Sequence, residues 1–221
     1  IVPVHLFGLA APMDQIMALA NEHNLYVIED NAQGIGAHYA DASGKKHKTG
    51  TIGHVASTSF FPSKNLGCYG DGGAIFTNDD DLAHTLRGIV NHGMYVRYHH
   101  DVVGVNSRLD TLQAAILDIK LKHLDEYSAA RNAAADYYDS QLSNLSGIVI
   151  PKRVSNSTHV FHQYTLKIAD GKRDALKSYL AEKGIPSMVY YPYPLHFQKA
   201  YQSDRFPKGI FPVAESLCEE V

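Results

Sequence analysis

A single lysine stands in a turn directly after an apolar stretch of the chain. The segment Ser57–Gly67 reads Ser-Thr-Ser-Phe-Phe-Pro-Ser-Lys-Asn-Leu-Gly, which surrounds Lys64 with hydroxyl groups, a proline and a glycine. A lysine amine near a sheet edge can lose its proton and act as a nucleophile when burial and neighbouring dipoles favour the neutral form. A loop lysine is more often a solvated charge, so this segment alone leaves both interpretations open.

Two carboxylates stand at the end of another apolar run. Leu25–Ile28 is followed at once by Glu29 and Asp30. In open α/β sheets ligands collect beyond the carboxyl ends of the strands, so Asp30 and Lys64 can face the same crevice. The competing interpretation is that Asp30 caps a following helix.

The elements that must position these two residues alternate between helix and strand. Apolar residues recur at helical spacing in Asp14–Glu22, and a strand is predicted directly after them at Leu25–Asp30. Further strands are predicted at Val55–Phe61 and Gly73–Thr77, before a helix over Asp80–Asn91. This alternation predicts an α/β fold with a mainly parallel sheet covered by helices.

A long helix is predicted from about Asp110 to beyond Tyr137, with a small α+β unit after it. That unit contains two predicted strands, a helix and a third strand: Gly147–Ile150, His162–Ile168, Arg173–Lys183 and Met188–Tyr191. We therefore expect the C-terminal part of a large domain at residues 1–125. An incomplete small C-terminal domain is expected at residues 126–221.

Size, charge and cysteine content restrict the class of protein. With 221 residues and 45% hydrophobic content, the chain can bury a sizeable core. A formal net charge of -3 favours neither a nucleic-acid nor a membrane-surface partner. Cys68 and Cys218 are interpreted as free thiols, and no secretory signal or membrane span is recognisable, so we expect a cytoplasmic protein.

Both ends of the chain give the impression of truncation. Ile1–Val4 has the composition of a strand already under way, and the helix that begins at Ala214 stops at Val221. No metal site is expected, because the 13 histidines are scattered and none forms a tight ligand set with cysteine.

Five blocks of sequence are more specific together than any single residue. They are VHLFG at Val4–Gly8, IEDNAQ at Ile28–Gln33, SFFPSKNL at Ser59–Leu66, GDGG at Gly70–Gly73, and NSRLD at Asn106–Asp110 with QAA at Gln113–Ala115. In order and spacing they resemble the DegT/DnrJ/EryC1/StrS sugar aminotransferases, and the resemblance continues to Phe211–Glu215. It implies a pyridoxal 5'-phosphate (PLP) enzyme of transferase fold type I, in the aspartate aminotransferase superfamily.

The resemblance assigns four residues to the cofactor. Lys64 matches the lysine that forms the Schiff base with PLP, the internal aldimine, and then moves the proton. Asp30 matches the carboxylate that keeps the pyridine nitrogen protonated, so that the ring can accept electrons. Gln33 matches the side chain near the ring hydroxyl, and Ser59 matches a hydroxyl donor to the cofactor phosphate. Lys64 and Asp30 are therefore the predicted catalytic residues.

Asn106 and Arg108 are candidate site residues later in the chain. Asn106 matches a residue that reaches the cofactor phosphate from the neighbouring subunit, which implies a homodimer with shared active sites. Arg108 is a planar bidentate donor suited to a phosphate or carboxylate of the substrate, although a structural carboxylate remains an alternative partner. The apolar helix at Leu112–Leu124 also needs covering, for which a subunit interface is one solution.

The segment Tyr190–His196, with the sequence YYPYPLH, resembles the family's substrate-side loop from the small domain. The resemblance makes Tyr191 and His196 candidate substrate-binding residues. A proline-rich surface turn with packed tyrosines is the alternative interpretation.

The resemblance implies a ping-pong aminotransferase. Glutamate would give its amino group to PLP, and the pyridoxamine form would pass it to a nucleotide-linked keto-sugar, for which a 3-keto hexose is expected. Synthesis of surface polysaccharides or antibiotic sugars is typical of the family. The related PLP-dependent sugar dehydratases carry a histidine in place of the lysine, so Lys64 disfavours that activity. A third hypothesis is a non-catalytic fragment or interaction module that retains the fold.

Overall fold

The computed structural model describes all residues from Ile1 to Val221 and has a mixed α/β composition. The α-helices are α1 (Met13–Glu22), α2 (Asp80–Ile89), α3 (Thr111–Leu121), α4 (Leu124–Leu142), α5 (Arg173–Glu182) and α6 (Pro212–Glu220). The strands are β1 (Ile28–Asp30), β2 (His38–Ala40), β3 (Lys46–Lys48), β4 (Val55–Ser59), β5 (Gly73–Phe76), β6 (Met94–Val96), β7 (His99–His100), β8 (Ile148–Val149) and β9 (Lys167–Ile168). No helix combines the length and the apolar content needed to cross a membrane.

The chain divides into two compact units. Unit 1 comprises Ile1–Ala134 and Arg153–Gln163, and unit 2 comprises Ala135–Lys152 and Tyr164–Val221. The division therefore falls inside α4, later than the boundary predicted after residue 125. A short segment after α4, Arg153–Gln163, also belongs to unit 1, which the sequence analysis did not anticipate. We call it the return segment.

This return segment, Arg153–Gln163, is held to unit 1 by backbone hydrogen bonds. The N–H of Val160 donates to the carbonyl of Gly8 at 2.9 Å, and the N–H of Ala40 donates to the carbonyl of Asn156 at 2.7 Å. These bonds join residues that are far apart in sequence, so no local periodicity predicts them. They explain why the segment belongs to unit 1, although the residues before and after it in the chain belong to unit 2.

The central sheet of unit 1 contains three strands in the order β1-β4-β5. β1 and β4 are parallel, with Asp30 opposite Ser57, whereas β4 and β5 are antiparallel, with Ser59 opposite Gly73. An isolated parallel bridge from Val4 to Asp30 extends the sheet on the other side of β1. The parallel β1–β4 pair is the part of this sheet that positions the predicted site.

The two faces of this sheet differ in burial. Side chains alternate along a strand, so Asp30, Ser57 and Ser59 share one face. Glu29 and Ala56 are buried on the opposite face. The predicted cofactor-binding carboxylate and the buried carboxylate next to it in sequence thus point to opposite sides of the sheet.

Two apolar clusters fill unit 1. The first lies around the turn that contains Lys64, residues 60–67, which we call the lysine turn. Its members are Phe60, Leu66, Cys68, Leu117 and Leu124. The second packs α1 near β1 and β2: Met13, Ala20, Val27 and Tyr39. Because Phe60 and Leu66 flank Lys64 in sequence, their burial anchors the lysine turn on both sides.

Three elements differ from the sequence-based expectation. The predicted long helix is interrupted between Leu121 and Leu124, which gives α3 and α4. The strand expected at His162–Ile168 is limited to β9, because its first residues belong to the return segment. Met188–Tyr191 forms no strand, and the prolines that follow it lack the N–H groups that a strand ladder needs.

A buried carboxylate ties β1 to its surroundings. Glu29 and His5 are both 0% exposed, and His5 Nε2 lies 2.7 Å from Glu29 Oε2. His5 Nδ1 accepts a hydrogen bond from the N–H of Ala11 at 3.1 Å, so Nε2 carries the hydrogen that His5 donates to Glu29. Three backbone N–H groups donate to the same carboxylate at 2.6 to 2.7 Å: Gly50, Ile52 and Gly53.

These hydrogen bonds decide the ionisation of Glu29. Burial raises the pKa of Glu29, but the hydrogen bonds from His5 and the three backbone groups outweigh burial and bring the pKa below its ordinary value of 4.5. The carboxylate is therefore charged at neutral pH, and its stabilising contribution depends on that charge. Since the pKa is lower in the folded state, this contribution is present above the unfolded pKa and lost as the pH falls through the folded pKa.

Replacing Glu29 by Gln should destabilise the fold strongly. The variant keeps the size of the side chain but directs an NH2 group at donors that need an acceptor. We expect a loss of about 3–5 kcal/mol in the free energy of unfolding near neutral pH, and a smaller loss at acidic pH. Denaturant unfolding of the full-length protein measures both values. Glu22→Gln, on the exposed end of α1, is the matched control and should change stability by less than about 0.5 kcal/mol. Equal stability of Glu29→Gln and wild type near neutral pH would contradict the anchoring role.

Candidate active site

Three predicted site residues meet at the carboxyl edge of the β1–β4 pair. Asp30 is the last residue of β1 and Ser59 the last residue of β4, and the two side chains share a face of the sheet. Lys64 follows in the turn directly after β4, and all three residues are partly exposed. The structure therefore brings an amine, a carboxylate and a hydroxyl group to one edge, as a ligand site beyond parallel strands requires.

Asp30 keeps one carboxylate oxygen available. Its Oδ1 accepts a hydrogen bond from the N–H of Ala32 at 3.0 Å, while Oδ2 has no hydrogen-bond partner in the chain. The residues after Asp30 form turns and not a helix, so the helix-capping interpretation is wrong. The N–H of Asn31 donates to the carbonyl of Ser57 at 2.8 Å, which fixes the backbone at this point. Asp30 is thus held in place with a free acceptor.

Gln33 lies three residues beyond Asp30 and is held by its side chain. Gln33 Oε1 accepts a hydrogen bond from the N–H of Phe7 at 2.5 Å. The amide NH2 of Gln33 has no hydrogen-bond acceptor in the chain. This orientation leaves the donor end of Gln33 available to an oxygen of a ligand.

The lysine turn is tightly constrained, but its amine is not. The N–H of Lys64 donates to the carbonyl of Phe61 at 2.9 Å. A Cβ atom at Gly67 would lie 2.6 Å from the carbonyl oxygen of Pro62, so this close approach of two backbone segments requires glycine. Lys64 Nζ forms neither an ion pair nor a hydrogen bond within the chain. The fold therefore presents a free amine on a fixed backbone.

A polar cluster beside the lysine was missed by the sequence analysis. Asn65, directly after Lys64, donates from Nδ2 to the carbonyl of Val160 at 2.9 Å, and its Oδ1 lies 3.3 Å from His162 Nδ1. Arg131 Nη1 donates to the carbonyl oxygens of Phe161 and His162 at 2.9 and 3.3 Å. The one available signal was the position of Asn65 next to the lysine, because its partners are about a hundred residues further along the chain.

His162 is uncharged near neutral pH. Burial, followed by the positive charges of Lys64 and Arg131, lowers the pKa of His162 from its ordinary value to about 4. Asn65 Oδ1 can only accept, so the hydrogen of the neutral ring resides on Nδ1. An uncharged imidazole therefore lies within electrostatic range of the lysine amine.

Asn106 and Arg108 line a groove of unit 1. Both are exposed, and Arg108 Nη1 donates to Asn91 Oδ1 at 3.3 Å. The groove has a volume of about 1380 Å³, and its lining also includes residues of β4, β5 and α2, among them Ser57. Its lining includes none of the four residues at or near the carboxyl edge: Asp30, Gln33, Ser59 and Lys64. The structure thus does not bring Asn106 and Arg108 together with the lysine turn in this groove.

The two predicted substrate residues of unit 2 have different surroundings. His196 Nε2 lies 2.9 Å from Glu215 Oε1, its ring contacts Phe197 and Phe211, and only 8% of its side chain is exposed. These contacts give His196 a structural role within unit 2. Tyr191 is 50% exposed and is the more accessible of the two residues. Their contact with substrate stays a prediction.

Comparisons with known proteins agree with these observations. The model of the DegT/DnrJ/EryC1/StrS aminotransferase family matches residues 1–221. A protein from Geobacillus stearothermophilus named pleiotropic regulatory protein is 49% identical over 222 residues, which cover 100% of this chain and 58% of that protein. UDP-N-acetyl-3-dehydro-alpha-D-glucosamine 3-aminotransferase from Acidithiobacillus ferrooxidans is 47% identical over 221 residues, which cover 100% of this chain and 57% of that enzyme.

The structural comparison confirms the fold. The crystal structure of NtdA from Bacillus subtilis with bound cofactor PMP superimposes with a TM-score of 0.86 at 32% sequence identity. The matched region covers 99% of this chain and 50% of that one. The chain thus spans little more than half the length of the curated relatives it matches.

Proposed function

The chain belongs to the DegT/DnrJ/EryC1/StrS aminotransferase family, and we propose that the full-length protein is a PLP-dependent nucleotide-sugar aminotransferase. The reaction moves an amino group from glutamate to a nucleotide-linked keto-sugar in two half-reactions. The observation that carries the proposal is the carboxyl edge, where the free amine of Lys64 follows β4 and the free oxygen of Asp30 ends β1. The free thiols of Cys68 and Cys218 are compatible with a cytoplasmic location.

The groups at this edge fit PLP by their chemistry. PLP has an aldehyde, a pyridine nitrogen, a ring hydroxyl and a phosphate. At this edge Lys64 offers an amine for the aldehyde, and Asp30 offers a carboxylate for the nitrogen. Gln33 offers amide donors for the ring oxygen, and Ser59 offers a hydroxyl for the phosphate. In the order Lys64, Asp30 and Gln33, these are the first three residues of the set. Each of the first three has its reactive atom free of partners in the chain. When bound, PLP accepts the electron pair of the bond broken at the substrate carbon.

The residues of this chain then have separate tasks. Lys64 would hold the cofactor through its Nζ, and the same Nζ would move a proton at the substrate carbon. The negative charge of Asp30 favours a proton on the pyridine nitrogen, because opposite charges stabilise each other in a partly buried site. Gln33 and Ser59 orient the cofactor through donated hydrogen bonds. Positioning and proton movement are thus divided among residues of one edge.

The acceptor we propose is a 3-keto hexose linked to a nucleotide. The support is the Acidithiobacillus ferrooxidans relative, whose name specifies amination at carbon 3 of a UDP-linked sugar. A second candidate is an interaction module without catalytic activity, and the relative from Geobacillus stearothermophilus, whose name specifies a regulatory protein, is the reason to test it. Lys64 disfavours the dehydratase activity, because the related dehydratases carry a histidine in place of this lysine.

We further propose a homodimer in which Asn106 and Arg108 complete the partner's active site. Both residues are exposed, and the groove that they line includes neither Lys64 nor Asp30. They are therefore available to another subunit. α3 also exposes large apolar side chains, with Leu112 71% and Ile119 63% exposed. Exposed apolar side chains on one helix support an interface that covers them.

Covalent attachment of PLP should occur at Lys64. Borohydride reduction of the full-length protein with PLP should remove an absorbance band near the visible edge and leave a pyridoxyl group on the peptide that contains Lys64. Lys64→Ala should fold normally but show neither the band nor the label. Lys45→Ala, in the β2–β3 hairpin, is the matched control and should be labelled as wild type is. Labelling at Lys45 or Lys48 would overturn the assignment, and a colourless full-length protein would favour the interaction module.

Shared active sites can be tested by mixing inactive subunits. Lys64→Ala and the double variant Asn106→Ala/Arg108→Ala should each be inactive as homodimers, whereas a mixed dimer contains one site with all three residues intact. Random pairing makes about half of the dimers mixed, so activity should approach about a quarter of wild type. Mixing Lys64→Ala with Asp30→Ala is the control and should give no recovery, because both residues serve the same subunit. Absence of recovery, with mixed dimers verified by mass spectrometry, would show that Asn106 and Arg108 serve their own subunit.

A further inference from the structure

The return segment has an unusual backbone where it passes the lysine turn. Phe161 has a φ angle of 42°, in the left-handed region that residues other than glycine rarely occupy. Arg131 donates to the carbonyl oxygens of Phe161 and His162, and Asn132 Nδ2 donates to the carbonyl of His159 at 2.9 Å. Strained backbone persists only where surrounding groups hold it, and it is common at functional sites. Here helix α4 supplies the groups that hold it.

The held backbone brings His162 to Asn65. His162 Nδ1 lies 3.3 Å from Asn65 Oδ1, and the Nδ2 of the same amide donates to the carbonyl of Val160. These two bonds satisfy both ends of the Asn65 amide, which is nearly buried at 6% exposure. The residue directly after Lys64 is thereby attached at two points to the return segment.

The charge state of His162 suits this position. A charged imidazole and the ammonium group of Lys64 would repel each other, which would be costly in this partly buried cluster. The low pKa of His162, about 4, removes that repulsion near neutral pH. The ring can therefore donate to Asn65 without adding a charge beside the lysine.

We propose that His162 is a positioning residue for Lys64, acting through its hydrogen bond to Asn65. The inference rests on the proposed function, since it concerns the lysine to which PLP would attach. The bond restricts the backbone of the lysine turn and so keeps Nζ at the carboxyl edge. A small displacement of a reacting group is enough to slow a reaction strongly, so loss of this bond should slow attachment of the cofactor.

The test measures how fast PLP attaches to Lys64 in full-length protein from which the cofactor has been removed. Borohydride is added at successive times after PLP, and mass spectrometry follows the label at Lys64. His162→Leu should slow attachment by about tenfold or more, because it removes the donor to Asn65. His162→Asn should restore a rate near wild type, because its amide N–H can replace the Nδ1–H group. His123→Leu, a half-exposed histidine between α3 and α4, is the control and should leave the rate unchanged.

Thermal unfolding separates a loss of positioning from a loss of folding. Thermal unfolding of the cofactor-free variants should show that His162→Leu and His162→Asn are both folded. If His162→Leu does not fold, His162→Gln replaces it, because its longer amide lies beyond the Nδ1 position and should also slow attachment. A wild-type rate in the variant that lacks the donor would overturn the positioning role, and so would a rate in His162→Asn as slow as that in His162→Leu. In either case, attachment of PLP to Lys64 in wild type would still support the proposed function. Labelling of wild type at another lysine would overturn both.

Discussion

The charged carboxylate of Glu29, buried at 0% exposure, fixes the strand on which the candidate site is built. Its donors come from both neighbours of β1, with His5 on the N-terminal stretch and Gly50 to Gly53 on the loop that leads into β4. A buried carboxylate without these donors would be costly, so the three segments must meet around it. Side-chain alternation then directs Asp30, the next residue, to the opposite and more open face. The anchor and the functional carboxylate are thus adjacent in sequence and separated by the sheet.

The lysine turn depends on constraints of a different kind. Apolar burial of Phe60 and Leu66 holds its two flanks, and the close backbone approach at Gly67 sets its shape. Its remaining attachment is polar and comes from the return segment through Asn65. A reactive amine needs this combination, because the backbone must be rigid while Nζ stays free to bond to a ligand. The same turn could not be stabilised by a salt bridge to Lys64 without losing the reactive group.

Local sequence patterns predicted those parts of the fold that local forces determine. Helix α1, helix α2 and the strands that end at Asp30 and Ser59 lie close to their predicted positions, because their apolar spacing and turn residues are read over short windows. The return segment could not be read in this way, since its hydrogen bonds join the N-terminal stretch to residues beyond α4. His162 was therefore assigned to a strand, and its contact with Asn65 was not foreseen. The contact between His196 and Glu215 was not foreseen either, because it joins residues 19 positions apart that no local pattern relates.

The central claim is that Asp30 and Lys64 form one PLP site at the carboxyl edge of the sheet. It is tested most directly by the half-reaction of full-length Asp30→Asn with glutamate, followed by stopped-flow absorbance. Asn keeps the size of the side chain but lacks the negative charge that holds the proton on the pyridine nitrogen. Conversion of the cofactor should therefore slow by orders of magnitude, while PLP still attaches to Lys64. A near-normal rate of conversion in Asp30→Asn would contradict the claim and remove Asp30 from the site.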